Sequence, residues 1–198
     1  MKSDEWFRFF KQHTDKKLFS LSDLSQLTEE DKSSLSVQLT RLVKAGLVKR
    51  IAYRWYENPF APPSLEEISM VLRYPSYLSM EYALSKHGVL SQTTYTFTLV
   101  TTKLPYTYRT EKAVYEYHQI HEDLFWGYRK TGIVNVAEPE KALLDLIYIR
   151  CVKNKNMKAF RIKSLSDDMY IDEISIEKLF MYSEKFPSKT RRILHEIF

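Results

Sequence analysis

Residues 35–50 read LSVQLTRLVKAGLVKR, and the way this stretch folds decides what the N-terminal third of the chain is. At 100° per residue, Leu35, Leu39, Leu42 and Val43 fall in one stripe, as the buried side of an amphipathic helix requires. Ser33, Val37, Thr40, Arg41 and Lys44 fall opposite. Gly46 supplies a left-handed stop, and beyond it VKRIAYRWYE changes to an extended, β-rich pattern. The helix ends there and a small hairpin begins. A solvated face ordinarily mixes both signs of charge. From Lys32 to Tyr56, however, there are six basic residues, Lys32, Arg41, Lys44, Lys49, Arg50 and Arg54, and no Asp or Glu. A one-signed face points to an anionic partner.

Upstream, DEWFRFFK offers Trp6, Phe7, Phe9 and Phe10 for a first helix. SLSDLSQL offers a Ser cap with Leu21, Leu24 and Leu27 for a second, and Thr28 to Lys32 makes the turn. Three short helices and then a two-stranded ribbon is the order of a winged helix-turn-helix, whose third helix enters the major groove while the ribbon follows the backbone. Glu29, Glu30 and Asp31 would repel phosphate, so the reading helix is expected to start at Lys32 or Ser33. Arg41 has the reach and the fork for guanine edges or phosphate, and Val37 offers methyls to a thymine. Lys32, Ser33, Ser34, Thr40 and Lys44 suit phosphate oxygens, as do Lys49, Arg50 and Arg54 on the ribbon. The alternative is a winged helix that contacts protein and keeps its basic face in water.

The 198 residues allow two unequal domains, and 44% hydrophobic and 28% charged residues with only 4 Gly describe an ordered chain. The apolar run ALLDLIYI is too short for a membrane span, and MKSDEWFRFFKQ has no apolar signal core, so a cytoplasmic protein with no membrane partner is expected. The single Cys151 reads as a small buried hydrophobe. ENPFAPP at 57–63 marks a boundary, giving expected domains at 1–58 and 62–198. The charge is local: residues 61–149 hold eight basic and ten acidic residues, although the whole chain carries +5.

In the second domain Ser64 and Glu67 form a capping box for a helix through about Leu72, and SYLSMEYALSKHG gives another helix stopped by Gly88. In TTYTFTLVTT, Tyr95, Phe97 and Leu99 alternate with Thr94, Thr96 and Thr98, as in a half-buried strand. YTYRT, KAVYEYHQI, FWGYRK and IVNVA read as further strands of one antiparallel sheet, and the chain after Pro139 as mostly helical. The expected class is therefore α+β: a winged helix-turn-helix, then an antiparallel sheet with flanking helices. His118 and His121 lie on a strand running into a turn, a poor setting for a metal, and His87 sits at a helix end where a cation is favoured. With no Gly-rich phosphate loop and no GxSxG elbow, no catalytic residue, cofactor or metal is expected. Asp145 stands on a helix apolar nearly all round. Lys141, four residues earlier, or an Arg or Tyr from the sheet can satisfy it, and a partner-binding role is the other possibility.

SYLSMEYALSKHGVLSQ, LVTT, HEDLFWG and above all VAEPEKALLDLIYIR, following a winged helix, resemble the AbiEi family, antitoxins of bacterial type IV toxin–antitoxin systems. The resemblance spans roughly residues 15–150, with Ala137, Pro139, Glu140, Lys141, Ala142, Leu143, Leu144 and Asp145 its most specific piece. It implies an N-terminal domain that binds double-stranded DNA at its own promoter and represses the operon. It also implies a C-terminal domain, marked by Glu140, Lys141 and Asp145, that neutralises a nucleotidyltransferase-like toxin encoded beside it. That neutralisation need not involve contact. Two other readings remain open: a stand-alone regulator whose C-terminal domain dimerises or senses a ligand, and a nucleic-acid-modifying enzyme.

Overall fold

Trp6, Phe9 and Phe10 recur on one side of the first predicted helix, and the N-terminal unit is built on that spacing. The structure, a computed structural model, describes residues 1–91, 95–110, 112–153 and 169–198. Helix α1, Ser3–Gln12, buries all three rings, with Trp6 stacked on Phe10 at 5.6 Å. Helices α2, Leu21–Thr28, and α3, Lys32–Lys44, bury Leu21, Leu24, Leu35, Leu39 and Leu42 against them. Ser20 caps α2 by accepting from the Asp23 amide at 3.0 Å. The turn to α3 passes through Glu29 in the left-handed region. Leu27, expected in the core, is instead 46% exposed in the last turn of α2, which buries Leu21 and Leu24.

The ribbon differs from expectation by one strand. Strands β2, Arg50–Ala52, and β3, Trp55–Glu57, form the hairpin, but β1, Leu18–Ser20, pairs with the other side of β3, giving an antiparallel order β1-β3-β2. Three residues are too few to display a period, and β1 was not legible beforehand. Asn58 fixes the chain after β3. Its side chain is fully buried and its Nδ2 lies 3.0, 2.8 and 3.1 Å from the carbonyls of Phe10, His13 and Lys16, so it ties the last turn of α1 to the residues that follow it. Helix α4, Leu65–Leu72, opens on the Ser64–Glu67 capping box, and Glu67 also pairs with Lys17 at 3.0 Å. That pairing assigns α4 to the first unit. The chain divides between Leu72 and Arg73, beyond the proline-rich stretch.

The second unit also mixes helix and sheet, so the protein is α+β. Its strands are β4, Ser76–Leu78, β5, Thr96–Thr101, β6, Tyr106–Arg109, β7, Val114–Gln119, β8, Tyr128–Thr131, and β9, Val134–Ala137. Its helices are α5, Met80–Lys86, α6, Pro139–Ile147, α7, Ile176–Ser183, and α8, Ser188–Ile197, with α6 running on into a π-helical turn, Tyr148–Lys153. The sheet order is β6-β7-β5-β4-β9-β8, and it is mixed: β5 is parallel to β7 and β4 to β9. This corrects the antiparallel sheet expected above. The β6–β7 hairpin folds back so that its second strand, not its first, lies beside β5, and SYL, read as helix, is a strand inserted between β5 and β9.

The half-buried strand is also corrected. In β5 Thr98 and Thr101 are as buried as Phe97, Leu99 and Val100, while Tyr95 before it is 87% exposed. A central strand is covered on both faces, and Thr98 meets its polar needs by donating to the Ser79 carbonyl at 2.7 Å and accepting from the Tyr82 amide at 3.1 Å. Thr94, and residues 154–168 of the stretch after Pro139 expected to be mostly helical, lie outside the described residues. α6 is apolar nearly all round because every residue from Glu140 to Ile147 is buried, in a core shared by Tyr77, Val100, Leu84 and Leu194. Cys151 lies in that same core.

Candidate nucleic-acid interface

The outer side of α3 is built by the burial of its inner side. With Leu35, Leu39 and Leu42 turned inward, Lys32, Ser33, Ser34, Val37, Thr40, Arg41 and Lys44 are all exposed, and Val37, at 53%, is an apolar side chain with no core to join. Asp31 is the N-cap: its Oδ2 accepts from the amide and hydroxyl of Ser33, the amide bond being 2.8 Å long, and these bonds hold its carboxyl below the usual range. The caps change the expected phosphate contacts. The Ser33 proton goes to Asp31, Ser34 Oγ accepts from Gln38 Nε2 at 3.1 Å, and Thr40 Oγ1 donates to the Ser36 carbonyl at 2.7 Å. Three hydroxyls are thus engaged within the helix, and a carboxylate occupies the helix N-terminus where a phosphate would otherwise be drawn. Gln38, which accepts from Trp6 Nε1 at 3.0 Å, ties α3 to α1. The groups turned outward and cationic are Lys32 beside the cap and Arg41 and Lys44 farther on, with Val37 between.

The hairpin supplies the rest. Lys49, Arg50 and Arg54 are exposed, and Arg54 adopts φ +61° in the two-residue turn. Between the two arginines stands Tyr53, 71% exposed, with the Arg50 and Arg54 guanidiniums 5.6 and 5.0 Å from its ring centroid. The aromatic ring orders both cations. The charges of this stretch are countable in the sequence, but the place of Tyr53 in the turn, between Arg50 and Arg54, follows only from the folded hairpin.

In the second unit, Lys141 and Asp145 are fully buried and paired to each other through Asp145 Oδ1. Asp145 Oδ2 accepts from Tyr77 OH at 2.9 Å and Ser79 Oγ at 2.8 Å, and Lys141 Nζ donates to Tyr77 OH at 2.8 Å. The ammonium lies 5.3, 5.2 and 5.1 Å from the ring centroids of Tyr77, Trp126 and Phe186. Burial pushes Lys141 down and Asp145 up from their ordinary values, and the ion pair opposes both shifts. A partner cannot touch these two side chains, so whatever they contribute acts through the fold. Glu140, also buried, accepts from the Ser175 amide at 3.0 Å and pairs with Lys178 at 3.0 Å. Lys178 is shared with Glu138, which Tyr182 and Arg129 also hold, at 2.7 and 2.9 Å. Burial opposes ionisation of Glu138, but these three bonds bring its carboxyl down to about 2. The cluster borders a pocket of about 350 Å³ that Lys86, His87 and Thr131 also line.

Among the described residues, no group of three or more His, Cys, Asp or Glu is placed to hold a metal, and no helix is long and apolar enough to cross a membrane. His118 and Glu116 approach to 3.7 Å, and burial pulls the His118 imidazole down. No protein-family model matches the chain, and no curated protein does either.

Proposed function

We propose that the protein is a DNA-binding antitoxin that represses its own operon and counters a nucleotidyltransferase-like toxin, and that it is not an enzyme. The first unit is read as a winged helix-turn-helix, α2 and α3 forming the motif and β2–β3 the wing. The observation that carries this reading is the run of exposed cations Arg41, Lys44, Lys49, Arg50 and Arg54 along α3 and the hairpin, with no Asp or Glu between residues 32 and 56. Placed in the major groove, α3 presents Val37 and Arg41 to base edges and Lys44 to the backbone, while Lys49, Arg50 and Arg54 follow the phosphates. The antitoxin role rests on the AbiEi resemblance of residues 137–145, whose conspicuous charges build the interior of the second unit.

The test is binding of the full chain to the duplex upstream of its gene and to a random duplex, by fluorescence anisotropy. Arg41→Ala is expected to lower the preference for the operator by roughly 1–3 kcal/mol, whereas Lys49→Ala weakens both duplexes alike. Equal affinity of the wild type for both duplexes would remove the repressor reading. A second reading, a regulator whose second unit takes a small ligand, is favoured by the Glu138–Lys178 pocket. The presence of a toxin gene beside this one separates the two.

A further inference from the structure

The six-stranded sheet ends in two very different edges. At one end β8 carries Arg129 and Lys130, both exposed, the kind of charge that keeps an edge strand from pairing. At the other end β6, Tyr106–Arg109, has one cation in the strand itself, Arg109 at its far end; Tyr106 is 53% exposed with the Arg73 guanidinium 5.8 Å from its ring centroid, and Leu104 just before it is 71% exposed. We propose that β6 is the seam along which two copies of this chain join, antiparallel, about a two-fold axis at Thr107.

The backbone sets the register. At the hairpin end, the Thr110 amide donates to the Ala113 carbonyl at 2.9 Å. Alternation along the strand therefore turns the peptide groups of Tyr108 and Tyr106 toward β7 and leaves those of Thr107 and Arg109 facing outward. A pair centred on Thr107 lets the two threonines exchange both of their outward bonds, and each Arg109 amide meets the carbonyl of the other copy's Pro105. Pro105 has no amide to leave unsatisfied and ends the ladder. The same register sets Tyr106 of each copy beside Tyr108 of the other. Within one chain these rings already lie 4.5 Å apart, and Tyr108 packs edge-on to Tyr117 at 5.8 Å, so pairing prolongs an existing aromatic row. It also sets each Arg109 opposite a proline, so like charges do not face each other. The inference is independent of what the first unit binds.

The experiment is sedimentation equilibrium of the full chain beside cross-linking. A four-residue seam with flanking aromatics gives a modest interface, so dimer is expected at concentrations on the order of 10 µM to 100 µM. Thr107→Pro removes only an outward amide and should raise the dimer dissociation constant roughly tenfold or more. Thr107→Cys should form a covalent dimer under mild oxidation, since Cα atoms of a hydrogen-bonded antiparallel pair sit about 5.5 Å apart, within disulfide reach. Tyr95→Cys, also at an exposed position but off the seam, should not. Cross-linking decides the matter on a folded chain whichever way the proline variant behaves. A monomer throughout that range, a dimer indifferent to Thr107→Pro, or cross-linking of Thr107→Cys no faster than of Tyr95→Cys would each overturn the proposal.

Discussion

Single side chains carry an unusual share of the interior chemistry. Asn58 serves three carbonyls at once, and an acceptor left buried without a donor costs more than the bond was worth. Asn58→Ala should therefore destabilise the first unit by about 2–3 kcal/mol in urea unfolding; a loss under about 0.5 kcal/mol would mean that water replaces the amide. The Lys141–Asp145 pair makes a sharper case. Lys141→Met leaves a buried carboxylate with only hydroxyl partners and should cost roughly 3–5 kcal/mol, while Lys141→Met with Asp145→Leu should recover most of it. A double variant as weak as the single would show that the pair is irreplaceable. Lys141 and a sheet tyrosine are the partners expected for Asp145, and Tyr77 of β4 is that tyrosine; Ser79, just after β4, is the partner the sequence does not reveal, because β4 reads as helix.

At the level of elements, α3 opposes itself: its cap is an anion and its outer side a cation. Asp31→Asn keeps the cap, since Asn serves that position as well, and removes the charge. Affinity for any duplex should then rise roughly two- to fivefold at low ionic strength, and less at high salt; unchanged binding would place α3's first turn away from DNA. The β9–α6 junction responds to acid instead. Glu138 is depressed in the folded state, so its contribution is present above its unfolded value near 4.5 and is lost as pH falls toward about 2. Glu138→Gln should flatten the fall in stability across that window, as followed by thermal melting at successive pH values. Helices with long periodic faces, α1 and α3, were legible in the sequence, as were strands β6, β7, β8 and β9. Strands of three residues, β1 and β4, were not, because three residues cannot show a period of two, and their pairing is fixed by distant partners. The site was legible as far as exposure and charge go. What escaped was local: hydroxyls taken up by caps, and Tyr53 between its arginines.

For the whole molecule, the placing of the exposed basic side chains of α3 and the β2–β3 hairpin in one unit and of the Lys141–Asp145 network in the other predicts separable activities. Some five phosphate contacts should give log K against log salt a slope of about −4 to −5. Arg41→Glu should abolish repression in a promoter-reporter assay while sparing rescue of toxin-poisoned cells when expressed from a foreign promoter, and Asp145→Leu should lose rescue first. If Arg41→Glu loses both at normal protein levels, neutralisation acts through DNA. The packing of Cys151 gives a way to watch the second unit alone. It is the chain's single cysteine, 6% exposed, and burial pushes its thiol up, which leaves little thiolate to react. A thiol-specific dye therefore waits for the α6 core to open, and its rate of uptake is a clock for that event. Lys141→Met should make the clock run fast and Asn58→Ala should leave it unchanged, reading out, in one absorbance trace, whether the two units breathe together or apart.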